Sequence, residues 1–163
     1  MSAITETAPP VARTQIDPRG PRFAATLTTL VLATALLLAP SAATVALVAV
    51  QVGVFAIGAL RGVQRTPYSW LFKTLLRPRL GAPGHLEDAA PPRFAQGVGL
   101  VFGVVALVGY VAGADLLGAI ATGFALAAAF LNAAFGFCLG CEVYLLLQRL
   151  KPANPAHCHC PLI

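Results

Sequence analysis

The chain has 163 residues, 58% of them hydrophobic and only 10% charged, and a mean hydropathy of +0.79. Water-soluble domains carry about a quarter charged residues, so a soluble globule is excluded as the leading class. Eleven Lys and Arg against six Asp and Glu give a net charge of +5. These cations are spread over short loops without an aromatic and arginine recognition module, which argues against nucleic acid as a partner.

Residues 1–16 are polar and Pro-rich and read as a disordered leader. No cleavable signal is expected, because the first apolar run lacks a small-residue cleavage site followed by a soluble domain. Four uncharged apolar runs then occupy residues 23–39, 42–60, 94–113 and 116–137. Runs of about 17 to 22 residues match a hydrocarbon core of roughly 30 Å at 1.5 Å per residue. The predicted fold class is therefore all-α: a polytopic membrane protein in the lipid bilayer, with four transmembrane helices arranged as two repeated helical hairpins. Pro40 and Ser41 separate the first pair and Ala114 and Asp115 the second, with Thr44 and Asp115 placed to cap the returning helices. Between the hairpins, Thr66 and Pro67 form a cap and first-turn pair, and Tyr68, Leu71, Phe72, Leu75 and Leu76 recur at helical spacing beside Trp70. This predicts a short interfacial helix over 66–77. His85, in the irregular link beyond it, is given no role. The membrane domain is expected to span 17–150, and residues 151–163 to form a flexible Cys/His tail.

All eleven cations precede the first span, lie between the second and third, or follow the fourth, and the two hairpin turns hold none. The positive-inside rule then predicts a multi-pass protein of the bacterial inner (plasma) membrane, with both termini and the central loop cytoplasmic. Aligning the hairpins exposes a repeat at an offset of 71 residues, Asp17-Pro-Arg-Gly-Pro-Arg-Phe-Ala24 against Asp88-Ala-Ala-Pro-Pro-Arg-Phe-Ala95, identical at five of eight positions. The repeat halves are 17–62 and 88–137. Each crosses the bilayer twice, so the expected symmetry is a pseudo-two-fold axis along the membrane normal. Pro21 and Pro92 fix the first turn, Arg22 and Arg93 sit at headgroup depth within reach of Asp17 and Asp88, and Phe23 and Phe94 anchor the interface.

The four cysteines all lie near the C-terminus: Cys138 and Cys141 in Phe137-Cys-Leu-Gly-Cys-Glu142, and Cys158 and Cys160 in His157-Cys-His-Cys160. On the cytoplasmic side of a membrane stable disulfides are disfavoured, which leaves thiol chemistry, metal binding or plain packing. Gly136 and Gly140 permit the fourth helix to break and restart, placing a thiol at a new helix N-terminus where amides and dipole favour thiolate. Glu142 opposes that charge while offering a proton acceptor; one cysteine would attack and the other resolve, in an order the sequence leaves open, with Cys141, further from the membrane, the expected entry point. The redox reading needs no cofactor. The metal reading collects Cys138, Cys141, Cys158, Cys160, His157 and His159 around zinc or copper(I). Asn132 and Gln96, strongly polar amides in the fourth and third spans, are expected to hydrogen-bond between helices. No acid or base lies inside a span, which counts against a proton-coupled pump or a charged filter.

Together, Asp17-Pro-Arg-Gly-Pro-Arg-Phe23, its Pro92-Arg-Phe94 echo and Phe135-Gly-Phe-Cys-Leu-Gly-Cys-Glu142 resemble domain-of-unknown-function family 4395, small bacterial four-helix membrane proteins, over nearly everything from Ile16 to Leu150. The resemblance implies company with rhodanese-type sulfurtransferases and thioredoxin-like proteins, and carries over Cys138, Cys141 and Glu142 as candidate functional residues. The resulting expectation is a membrane thiol-disulfide or persulfide-handling partner of such a soluble protein. The alternatives are a zinc or copper(I) protein and a non-catalytic scaffold or small-solute carrier.

Overall fold

A computed structural model describes residues 14–81 and 85–150. Four long helices, α1 (Arg19–Leu37), α2 (Ala42–Arg61), α5 (Ala90–Val111) and α6 (Asp115–Phe135), are each long and apolar enough to cross a membrane. Short elements decorate one end: strand β1 (Gln15–Ile16), a 3-10 turn (Val63–Arg65), α3 (Pro67–Leu71), a π-helical turn (Phe72–Leu76), α4 (Arg77–Leu80), strand β2 (Glu87–Asp88) and, after α6, helix α7 (Leu139–Leu150). The chain is an integral membrane protein of all-α class. Its outward faces carry large apolar side chains such as Leu30, Val108 and Phe124, as a surface in contact with lipid requires.

The long helices form a ring in which α1 packs on α2 and α6, and α5 on α2 and α6. Small side chains allow the close approach: Ala35, Ala106 and Ala121 share a buried cluster with Val48 and Tyr110. A rotation exchanging α1 with α5 and α2 with α6 maps this packing onto itself. The same exchange holds in finer detail. Asp17 Oδ1 accepts from the Arg19 N–H and Asp88 Oδ1 from the Ala90 N–H, each at 3.0 Å. Strands β1 and β2 pair antiparallel with Ile16 opposite Glu87, residues 71 apart, so the pseudo-axis passes through that pair.

Arginine joins the halves. Arg22 donates from Nε to the Ala133 carbonyl at 3.2 Å and from NH2 to Ala134 at 3.1 Å. Arg93 does the same to Ala59 at 2.7 Å and Leu60 at 3.0 Å. Each guanidinium thus forks across the last carbonyls of a helix from the other hairpin, groups that no intrahelical donor can reach. The cations expected merely at headgroup depth are helix caps.

Several local expectations change. The returning helix α2 is capped by Ser41, whose Oγ accepts from the Thr44 N–H at 3.2 Å, while the Thr44 hydroxyl donates to the Ala35 carbonyl. Asp115 lies in the first turn of α6, and the N-cap Ala114 supplies no side-chain bond. The cap must precede the amide it serves by three residues, which Thr44 and Asp115 do not. The end of the expected leader is ordered, since Gln15 and Ile16 belong to β1; residues 1–13 lie outside the described part. The interfacial helix predicted over 66–77 is three pieces reaching Leu80. Pro78 lacks the N–H that would continue the α pattern, and the π turn, closed by the Arg77 N–H on the Phe72 carbonyl, widens the helix ahead of it.

The inter-helix amide is Gln51. It is 1% exposed, donates from Nε2 to the Thr28 hydroxyl at 3.2 Å and accepts at Oε1 from the Tyr68 hydroxyl at 2.9 Å, tying α1, α2 and α3 together.

The forked arginine predicts a measurable asymmetry between cations. Arg93→Ala should destabilise the detergent-solubilised protein by about 1.5 to 3 kcal/mol, the worth of charge-assisted hydrogen bonds, in SDS-titrated unfolding. Arg93→Lys should restore less than half of the loss, because an ammonium cannot fork across two carbonyls. Equal recovery by lysine would show that charge alone, without the fork, holds the helix end.

Candidate functional site

Helix α6 stops because Gly136 adopts a left-handed conformation, φ +70°, its N–H bonding the Asn132 carbonyl at 3.0 Å. A residue with a Cβ resists that conformation. The chain turns through Phe137 and restarts as α7, with Cys138 at its N-cap: the Cys138 carbonyl accepts from the Glu142 N–H at 3.0 Å and its Sγ from the Cys141 N–H at 3.4 Å. Helix α7 then packs on α5. Phe94 and Tyr144 meet at 5.5 Å between ring centroids. A Cβ on Gly140 would come within 2.6 Å of the Ala95 Cβ and 2.7 Å of its Cα. Only glycine lets the first turn of α7, and with it both thiols, lie this close to α5.

Both thiols are free and half-buried. The Cys141 N–H bonds the Cys138 sulfur, with the Cys141 thiol and the Gly140 N–H as the further donors beside it. Together these donors pull the Cys138 thiol down to about 7, against burial and the Glu142 charge. Cys141, whose thiol proton is held as one of those donors and which is itself buried, is pushed well up. Ionisation is therefore favoured at Cys138, which caps the helix, over Cys141, the entry point its distance from the membrane suggests. Distance from the membrane is the wrong criterion; position relative to the helix N-terminus decides. Glu142, in the first turn of α7, opposes thiolate at both sulfurs and does not promote it.

The first repeat contains a counterpart that sequence reasoning missed. Helix α3 also begins on a capping side chain, Thr66, whose Oγ1 accepts from the Ser69 N–H at 3.2 Å, and the two hydroxyls bond at 3.0 Å. This segment packs back on α1 through Phe23 and Phe72, 5.8 Å between centroids, as α7 packs back on α5 through Phe94 and Tyr144. Thr66 and Ser69 thus correspond to Cys138 and Cys141, one residue beyond the 71-residue offset. Each repeat is a membrane hairpin followed by a capped helix, and the second copy carries sulfur where the first carries oxygen. The signal was present as Thr-x-x-Ser against Cys-x-x-Cys, hidden by the one-residue slip.

Cys138, Cys141 and Glu142 line the mouth of a cavity of about 790 Å³ that runs between α1, α5 and α6 beneath α7. Asn132 and Gln96 line it too. Contrary to expectation they do not join helices: Gln96 Oε1 is buried without a hydrogen-bond partner among the described residues, and no hydrogen bond reaches the Asn132 side chain within them. Of the six candidate metal ligands, His157, Cys158, His159 and Cys160 lie outside the described residues, within which no group of three His, Cys, Asp or Glu side chains is placed to hold an ion.

A family profile described as Domain of unknown function (DUF4395) matches residues 16–149. The chain belongs to that family. No curated protein and no solved structure matches it.

The geometry predicts opposite titration of the two thiols. In a Cys158→Ser/Cys160→Ser background, site-resolved mass spectrometry of iodoacetamide labelling should show Cys138 reacting with a midpoint near pH 7 and losing about tenfold in rate per unit below it, since only thiolate reacts. Cys141 should stay slow throughout. Faster labelling of Cys141 at neutral pH would reverse the assignment.

Proposed function

We propose that this member of the DUF4395 family is a thiol-disulfide or sulfur-handling membrane protein acting through Cys138 and Cys141. Its thiol-bearing end faces the cytoplasm of a bacterial inner membrane, and its partner is a soluble rhodanese-type sulfurtransferase or thioredoxin-like protein. The observation that carries this reading is the exchange of hydroxyls for thiols between the repeats. Thr and Ser are good N-caps and Cys is a weak acceptor. A chain that needed only a cap has one at Thr66 and Ser69, so sulfur at Cys138 and Cys141 serves sulfur chemistry.

The step balances within the pair. The Cys138 thiolate attacks one sulfur of a partner disulfide, forming a mixed disulfide and expelling the partner's other sulfur as thiolate. Cys141 then attacks Cys138, its proton passing to the departing sulfur, so the partner leaves as dithiol and the Cys138–Cys141 disulfide remains. With an outer sulfur on Cys138 in place of a disulfide, the same attack releases hydrosulfide. The arrangement holds an attacking thiolate and a protonated resolving thiol one helical turn apart, as this sequence of events needs.

Graded glutathione buffers should reveal one two-electron couple involving both cysteines. Grafting the first repeat's cap onto the second, Cys138→Thr with Cys141→Ser, should abolish that couple while leaving stability equal to the parent or up to about 1 kcal/mol higher. Absence of a couple in the parent protein overturns the exchange reading.

The cytoplasmic placement is checked separately. Impermeant maleimide on intact spheroplasts should leave Cys158 and Cys160 unlabelled until the membrane is permeabilised; labelling from outside would reverse the orientation.

A further inference from the structure

The cavity behind the thiols has a graded lining. Its charged residues, such as Arg22, Glu87 and Glu142, all lie at the loop-bearing end, whereas its deep part is walled by Thr28, Phe55, Phe102, Phe124 and alanines of α6. Phe102 lies eight residues beyond Phe94, about 12 Å along α5 at 1.5 Å per residue, so the cavity reaches well into the span. Phe124 stands in its wall and is also 62% exposed on the outer face, which opens the cavity toward lipid. A volume of about 790 Å³ is that of a small-molecule site. Between the charged mouth and the apolar depth sit Gln96 and Asn132; Gln96 Oε1 is packed against Gly58 of α2 and faces away from the cavity, which leaves only the amide's N–H groups to offer a ligand.

The cavity exists because the repeats differ in bulk. The arginine forks set the register of α6 against α2 at 74 residues, Ala59 and Leu60 answering to Ala133 and Ala134, and at that register Gln51 and Phe55 of α2 become Ala125 and Ala129 of α6. Both alanines line the cavity, so the second copy leaves open a volume that the first copy's larger side chains would fill.

We propose that this cavity binds a lipid-soluble quinone, its ring between the Gln96 and Asn132 amides and its apolar tail toward Phe102 and Phe124, and that the quinone oxidises the Cys138–Cys141 dithiol. A neutral ring with two carbonyl oxygens matches the amide donors of Gln96 and Asn132, and its two-electron, two-proton chemistry matches a dithiol. The Cys138 thiolate adds to a ring carbon, forming a sulfur–carbon bond, and the ring oxygen takes a proton from water. Cys141 attacks the Cys138 sulfur, the sulfur–sulfur bond forms, and the sulfur–carbon bond breaks with its electron pair returning to the ring, whose second oxygen receives the Cys141 proton. One dithiol and one quinone become one disulfide and one hydroquinone. This rests on the exchange reading, since a soluble dithiol must reduce the disulfide for the cycle to repeat.

The test uses the full chain, reduced, in quinone-free phosphatidylcholine nanodiscs under anaerobic conditions, with Cys158→Ser and Cys160→Ser so that two thiols remain. Ubiquinone-1 is the probe, followed by the loss of quinone absorbance and by thiol counting, alongside glutathione titration of the couple. The expected result is one quinone reduced per chain with loss of both thiols. The rate should fall at least tenfold in Ala125→Leu/Ala129→Phe, which refills the cavity wall to about the first repeat's bulk, and in Gln96→Leu; a variant whose couple still titrates is folded and counts. A titrating couple with no quinone reduction, or with reduction unaffected by either variant, overturns the quinone site and leaves exchange with soluble partners standing. Absence of any couple is the distinct outcome that removes the exchange reading, and the quinone step with it.

Discussion

A membrane helix that ends at the bilayer surface leaves its last carbonyls without partners, and in this protein the way those carbonyls are satisfied organises everything else. The forks of Arg22 onto α6 and of Arg93 onto α2 each take the cation from one hairpin and the carbonyls from the other. Each hairpin is therefore closed by its neighbour, and the ring of four helices has its two inter-hairpin seams fixed at the same end. Hydrogen bonds from a guanidinium are worth more at this depth than in water, because competing solvent is scarce and the carbonyls sum to the negative pole of the helix. The Arg22 fork also bears on the thiols. It holds the end of α6 just ahead of the left-handed Gly136, and a Cβ built there would lie 3.9 Å from the guanidinium, so the direction in which α7 leaves is set against a fixed point.

Once the chain has turned, the start of α7 needs a cap, and the capping geometry determines the chemistry available. A side chain that accepts from the amide three residues on, beside further unsatisfied N–H groups, experiences a local positive potential. Oxygen in that place remains a neutral hydroxyl at any physiological pH. Sulfur, with an ordinary pKa near 8.5, is brought by the same potential into the range where it ionises. The same fold element is therefore inert in the first repeat and poised in the second, through a substitution of one atom type at two positions. Burial works against ionisation, and the donors at Cys138 outweigh it; at Cys141, which gives its proton and receives no comparable donor, burial and neighbouring negative charge prevail.

How much of this could be read from the amino-acid sequence divides along physical lines. The four spans follow from length and hydropathy because the bilayer imposes a single demand that every residue in a run must meet. The Pro-Arg-Phe echo is legible because short-range helix-start chemistry is written in consecutive residues. The destination of Arg22 is not, since its partners are backbone carbonyls more than a hundred residues away and any sequence supplies carbonyls. The interfacial helix starts at Thr66 as its cap chemistry implies and then runs through Pro78 by way of a π turn, a compromise that depends on packing against α1. Residue type alone assigns Asn132 and Gln96 to inter-helix bonding, a rule that describes Gln51; which amide finds a partner depends on what the facing elements present, Thr28 and Tyr68 in one case and a cavity in the other.

The departure from symmetry is as informative as the symmetry. In the first repeat Gln51 and Phe55 are buried; at the 74-residue register of the arginine forks the second repeat carries Ala125 and Ala129, each smaller than its counterpart. Losing that bulk forfeits burial of apolar area worth about 25 cal/mol per Å² and the contacts a filled core supplies. Such a loss around one hairpin of a duplicated fold is hard to account for by stability, since the fuller packing is encoded in the same chain. It falls beside the repeat that exchanged hydroxyl caps for thiols, and the two changes meet at one cavity mouth. One half of the molecule keeps its bulk, and the other gives it up where Cys138 and Cys141 line the cavity.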